Sequence, residues 1–201
     1  PAVLQAWYPG QEGGTALANI LFGNVTPCGK LPVSFIASPD QSPAFKGTGK
    51  HSQPVHYHEG VFAGYRYLDK HGMKPLFPFG HGLSYTRFQY SGLTVSPSPN
   101  GNYTVSFKLK NTGKRKGVEI IQVYVKETDP VVPRPEKELK AFKRELLLPG
   151  ESFDVSITLT PNAFKFFHPG KKKWTYTPGN FEILVGASSR DIRLRKKITI
   201  N

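Results

Sequence analysis

The stretch NYTVSFKLKNTGKRKGVEIIQVYV (102–125) decides the fold. In its first nine residues Tyr103, Val105, Phe107 and Leu109 alternate with polar residues. Successive side chains of a strand point to opposite faces, so the alternation predicts a half-buried strand over Asn102–Lys110. Asn111-Thr112-Gly113 supplies turn chemistry, and the run VEIIQVYV predicts a second strand over Val118–Val125.

Outward from this pair the same pattern recurs. Phe88–Val95 alternates upstream, and Glu127–Pro135 reads as a proline-rich crossing loop. Glu138–Leu148 returns, Pro149-Gly150-Glu151 turns, and Ser152–Leu159 alternates again. Thr175–Pro178 leads into a strand over Gly179–Val185, and Asp191–Ile200 closes the series. Short alternating strands separated by turns, with no helical period, predict an antiparallel β-sandwich of the immunoglobulin or fibronectin type over residues 85–201. A single cysteine, Cys28, rules out the internal disulfide of antibody-type domains.

Residues 1–84 read differently. Ala2–Tyr8 is a short apolar run ended by Pro9-Gly10, which predicts a buried strand. In Gln11–Phe22, Ala16, Leu17, Ile20 and Leu21 share one helical face, and Gly23 supplies a C-terminal stop. Asn24–Gly29 turns, and Lys30–Ile36 is extended. Strand, helix, turn and strand form the tail of an α/β layered domain. The expected fold class is therefore α+β in two domains: the end of an α/β sandwich domain (1–84), then an antiparallel β-sandwich (85–201). Between them, YHEGVFAGYRYLDKHGMKPLFPFGHGLSYTRFQYS (57–91) interleaves large rings with glycines and carries no single period. It predicts a packed, irregular connector. Pro1 followed directly by AVLQAWYPG reads as the interior of a domain, so a piece of a longer chain is expected.

The net charge of +13 is uneven. Residues 1–84 hold six Lys/Arg against four Asp/Glu, and residues 85–201 hold twenty-one against ten. Such a basic half raises nucleic acid or another anionic polymer as a partner. Lys114-Arg115-Lys116 and Lys171-Lys172-Lys173 fall in expected loops without rings spaced for base stacking, so solvated loop and strand faces are the preferred reading. No run approaches the roughly 18 apolar residues of a membrane-crossing helix.

Candidate chemistry is sparse. Gln11 and Glu12 lie in a glycine-rich loop, GQEGG, at the expected carboxyl end of a strand, where α/β folds keep their sites. Glu12 is either catalytic or a carboxylate shaping the loop at the positive end of a helix, and the second reading is preferred. The loop matches no phosphate-cradle motif. His51, His56 and His58 are close in sequence, but no Cys or Asp joins them, so no metal is expected. Glu59, Arg66 and Asp69 read as a polar lock within the connector, because buried charges need partners. KFFHPGKKKW (165–174) mixes Phe166, Phe167 and Trp174 with lysines: a carbohydrate-stacking loop, or rings that plug the sandwich end or dock it on the first half, the latter preferred.

Four stretches together resemble one family: AWYPGQEGGTALANILFGNVTPCGKLPVSF (6–35), the connector 57–91, KELKAFKRELLLPGES (137–152) and PGNFEILVGASSRDIRL (178–194). In this order they look like glycoside hydrolase family 3, the β-glucosidases and related exo-acting enzymes. The resemblance implies a (β/α)8 barrel, then an α/β sandwich domain, then a fibronectin type III-like domain, of which this chain holds the end of the second and all of the third. It implies a nucleophilic aspartate in the barrel and an acid/base glutamate, both upstream of Pro1. No catalytic residue is assigned in this chain, since Glu12 and Glu59 do not match those positions. Cys28 stands where the family usually has a small residue.

The expected function is thus the C-terminal part of a retaining exo-β-glucosidase, supplying scaffold and with Gln11 and Glu12 at the pocket rim. A β-glucoside or oligosaccharide would be the substrate of the complete enzyme, no cofactor or membrane partner is expected, and secretion or a periplasmic location is. The alternative is a non-catalytic basic β-sandwich that binds a polysaccharide or other anionic polymer. A non-catalytic paralogue is a third reading.

Overall fold

A computed structural model describes residues 2–44 and 57–201. His51 and His56, and most of the expected loop before the connector, lie outside the described residues.

Nine antiparallel strands carry the second half: β1 (Phe88–Pro97), β2 (Tyr103–Asn111), β3 (Gly117–Glu127), β4 (Glu138–Leu147), β5 (Ser152–Leu159), β6 (Phe166–His168), β7 (Lys173–Thr175), β8 (Gly179–Gly186) and β9 (Ile192–Ile200). One sheet has the order β1-β2-β5 and the other β4-β3-β8-β9, while β6 and β7 form a separate hairpin. The alternating residues meet between the sheets. Val105, Phe107 and Leu109 of β2 face Ile121, Val123 and Val125 of β3 and Phe181, Ile183 and Val185 of β8 in one core. Tyr90 stacks on Phe107 at 5.6 Å, and Phe164 meets Phe181 edge to face at 5.3 Å. Ring pairs in these geometries add to the burial of apolar area that drives the sandwich together.

Both faces of strand β3 are covered along most of its length. Ile121, Val123 and Val125 face the core, and Gln122 and Tyr124 on the outer face are buried too. That double burial explains why VEIIQVYV reads as a nearly continuous apolar run rather than an alternating one. The cover on the outer face is the connector.

In the first half, α1 spans Gly13–Leu21, and Gly23 (φ 75°) ends it by donating its N–H to Ile20 O at 3.0 Å. A second helix, α2 (Tyr65–Lys70), lies inside the connector. Six residues are too few to show a period in sequence, so the irregular reading missed it. Ala2–Tyr8 is not the expected buried strand. Val3, Leu4, Trp7 and Tyr8 are exposed and the segment pairs with no strand among the described residues. An extended run forms a strand only where a neighbour supplies the ladder, and Trp7 at φ 51° breaks the extension. Lys30–Ile36 is not extended throughout, since it bends at Pro32 and Val33, and among the described residues it forms one isolated bridge with the connector, Phe35–Phe77.

Close backbone contact fixes that pairing. Leu31 N–H donates to His81 O and Gly80 N–H to Leu31 O, both at 2.8 Å. A Cβ on Gly82 would lie 2.0 Å from Gly29 O, a backbone atom with no freedom to swing away. Gly82→Ala is expected to lower unfolding free energy by about 1–3 kcal/mol, the range for forcing a methyl into a filled site. Urea titration of the variant checks it.

Candidate functional site

The place where polar side chains converge is the seam between connector and sandwich. Tyr65, on α2, stacks on Phe79 at 4.9 Å and meets Tyr124 edge to face at 6.1 Å. Its hydroxyl accepts the Leu139 N–H at 2.9 Å. Buried Gln122 donates to Gly80 O at 3.1 Å and to Ala187 O at 2.9 Å, and accepts from the Tyr124 hydroxyl at 2.6 Å. Ser189 N–H donates to Phe79 O at 2.9 Å. Every polar atom of the Gln122 side chain thus has a partner, with Gly80 O across the seam, which removes the penalty of burying an amide. Gly80 has no room for a side chain, since a Cβ there would sit 2.1 Å from Gln122 Oε1.

Beside this neutral centre runs a set of buried ion pairs. Asp69, its side chain 2% exposed, takes Lys137 at 2.5 Å and Arg190 at 2.9 Å. Arg190 also donates to Met73 O at 3.0 Å, so one guanidinium binds the connector twice. Arg66 pairs with Glu138 at 3.4 Å; Glu138 also meets Arg134 at 3.0 Å and Lys140 at 3.3 Å, and Arg134 closes on Glu127. Burial pushes the Glu138 carboxyl up, but Lys140, Arg134 and Arg66 outweigh it and hold it below the ordinary range.

At the other end, Lys30 donates to Gly82 O at 3.1 Å and pairs with Glu119 at 3.3 Å. Burial lifts the Glu119 carboxyl despite Lys30, and lifts the Tyr90 phenol, which Glu119 disfavours further as an anion. Burial and the Lys30 charge lower His81. Asp191 is held low by its hydrogen bonds from Arg193 at 2.5 and 2.7 Å. The first half adds hydrogen bonds to backbone carbonyls: the Arg115 guanidinium donates to Gly23 O at 2.6 Å, the Tyr85 hydroxyl to Ile20 O at 2.8 Å, and the Thr26 hydroxyl to Lys116 O at 2.9 Å.

The lock expected from Glu59, Arg66 and Asp69 takes a different form. Arg66 and Asp69 find their partners on the sandwich, in Glu138, Lys137 and Arg190, and not in one another. Glu59 has no ion pair with either, being at the turn before α2, where its carbonyl accepts the Phe62 N–H. The physical reason is geometric. Arg66 and Asp69 leave a six-residue helix that lies on the sandwich, so the nearest opposite charges belong to β4 and the β8–β9 turn. Gln11 and Glu12 are exposed in the turn before α1, and the Glu12 side chain forms no cap bond with the helix it precedes. Among the described residues, no three of His, Cys, Asp and Glu gather as metal ligands. Sequence reasoning missed Gln122, Lys137, Arg134, Glu138 and Arg190. One signal was available: a glutamine in the middle of VEIIQVYV is a polar group in a fully buried strand, which demands a partner.

Chemically, the seam fastens: the carboxylates of Asp69, Glu119, Glu127 and Glu138 are each held by Lys or Arg side chains.

Comparison with known proteins gives the arrangement its class. Residues 1–85 match the model of the Glycosyl hydrolase family 3 C-terminal domain, and residues 119–189 that of the Fibronectin type III-like domain. The chain belongs to glycoside hydrolase family 3. It is 46% identical to thermostable beta-glucosidase B of Acetivibrio thermocellus, with 100% of this chain and 27% of that protein aligned. It is 44% identical to beta-glucosidase BoGH3A of Bacteroides ovatus, over 96% of this chain and 27% of that protein. Among solved structures, beta-glucosidase 3B of Thermotoga neapolitana in complex with glucose superposes with a TM-score of 0.92 at 38% identity, covering 98% of this chain and 28% of the other. The chain therefore spans about a quarter of the length of the relatives it matches.

Removing Lys137 leaves the Asp69 carboxylate buried with Arg190 alone. Lys137→Met is expected to lower unfolding free energy by about 3–5 kcal/mol, as breaking a buried pair does. Lys108→Met, at an exposed pair 3.8 Å from Asp154, changes it by about 0–1 kcal/mol. Denaturant unfolding of the two variants measures the contrast.

Proposed function

We propose that this chain is the non-catalytic end of a retaining exo-β-glucosidase that releases terminal β-D-glucosyl residues. One observation carries the reading: the connector and sandwich are fastened by polar contacts in which the carboxylates of Asp69, Glu127 and Glu138 are each held by cations. Support comes from relatives named as β-glucosidases, one of them solved with glucose. Retaining hydrolysis needs a nucleophile and an acid/base about 5–5.5 Å apart. In this proposal both carboxyl groups come from outside the chain, and the sandwich holds the α/β domain in place against them. Gln11 and Glu12 then stand at the rim of the pocket, where they touch sugar or order the loop without transferring a proton.

The test separates scaffold from catalyst. Expressed alone, the chain is expected to leave a chromogenic β-glucoside unhydrolysed. In the enzyme that contains it, Glu12→Gln is expected to raise KM several-fold and leave kcat within about twofold, the pattern of lost ground-state binding. Hydrolysis by the chain alone, abolished by Glu12→Gln, would place the chemistry here and overturn the proposal.

A further inference from the structure

The hairpin β6–β7 stands apart from both sheets and has two unlike faces. Phe166 is buried on its inner face, with the Arg134 guanidinium 5.4 Å from its ring. The next residue, Phe167, points the other way and is 50% exposed, and its cross-strand partner Trp174 is 67% exposed. The two outer rings meet edge to face, with centroids 6.0 Å apart and planes at 72°. Lys171, Lys172 and Lys173 form the adjoining tip, all exposed, and none takes part in an ion pair among the described residues. Lys172 adopts φ 49°, a left-handed conformation that glycine or asparagine fills more readily. A charged side chain is thus kept at the tip where turn geometry favours another residue.

Among the readings the sequence allows for 165–174, plugging the sandwich accounts for Phe166 alone. Phe167 and Trp174 plug nothing, and exposed rings carry a hydration cost that a folded core would have removed. We propose that this hairpin is a binding site for an acidic polysaccharide, one bearing uronic acid residues along a single soluble chain. The proposal is independent of the β-glucosidase reading. The C–H face of a pyranose stacks on the exposed Trp174 indole, while the Phe167 ring, at 72° to it, walls one side of the sugar. The lysines, unpaired by any carboxylate among the described residues, pair with uronate carboxylates on neighbouring sugars. The 72° angle between the rings matters here. Flat crystalline polymer needs coplanar rings, and a single-stranded nucleic acid needs successive open ring faces along a basic groove. The hairpin offers two exposed rings at 72° to one another beside one cationic tip.

The experiment is affinity electrophoresis of the purified protein in gels containing polygalacturonate, a neutral β-glucan or single-stranded DNA, at low and raised salt. Retardation by polygalacturonate is expected, weakening as salt rises. Trp174→Ala is expected to weaken it by about tenfold, the loss of one stacking ring. The triple variant Lys171→Gln, Lys172→Gln, Lys173→Gln is expected to weaken it as much, while Lys108→Gln, on the exposed face of β2, leaves it unchanged. All these positions are exposed, so far-ultraviolet circular dichroism serves to confirm that each variant is folded. Absence of retardation by polygalacturonate overturns the proposal. So does retardation that Trp174→Ala leaves intact, or that DNA matches in strength, since either reduces the effect to net positive charge. Equal retardation by the neutral glucan overturns the acidic specificity.

Discussion

The structure depends on a single amide. Gln122 sits at the centre of the outer face of β3, where an apolar side chain is expected, and it is bonded on both sides of the domain seam: to Gly80 of the connector and to Ala187 at the end of β8. The Tyr124 hydroxyl completes the set. A buried amide with a missing partner costs about 1–3 kcal/mol, so Gln122 favours only the arrangement that places the Gly80 carbonyl against it. The glycine is required by the same contact, because any side chain at position 80 would collide with the glutamine. Hydrophobic cover alone would allow the connector to slide along the sheet. The amide sets its register.

The ion pairs around that centre act in the same sense. Asp69 and Arg66 project from one short helix and are met by Lys137, Arg190 and Glu138 from two different parts of the sandwich. Buried pairs are a weak source of net stability, because desolvation offsets most of the Coulomb gain. Their effect is on misplacement: a shift of a few ångströms strands a charge in a dry site. A family 3 chain that must hold an α/β domain rigidly beside a sandwich has reason to use contacts that penalise error more than they reward assembly. In the proposed role as a catalytic buttress, that rigidity is what the chain contributes.

The sandwich was legible in the sequence because its determinants are local. Alternation in Tyr103–Leu109 and Val155–Leu159 is imposed by a face each strand turns inward, and period two survives in the amino-acid order. The connector was legible only in outline. Its rings and glycines announced close packing, but α2 is shorter than two turns and leaves no period to read. The charge partners were not legible at all for a related reason: Asp69 and Lys137 are 68 residues apart, and nothing in local order says that α2 lies on β4. Ala2–Tyr8 failed in the opposite direction. Its apolar run satisfies the local rule for a strand, while the ladder that makes a strand belongs to a neighbour. The hairpin at 165–174 was read as one unit, and only the alternation of Phe166 inward and Phe167 outward separated its anchoring ring from its exposed ones.

If the seam is one fastened unit, its amides must open only when the sandwich core opens. Native-state hydrogen exchange reads this directly at Gly80, bonded to Leu31 O, and at Ser189, bonded to Phe79 O, against Val123 in the middle of β3. The account predicts that Gly80 and Ser189 exchange at rates within about tenfold of Val123, as members of one cooperative unit do. Exchange of those two amides at the rate of an exposed loop, with Val123 still protected, would contradict it.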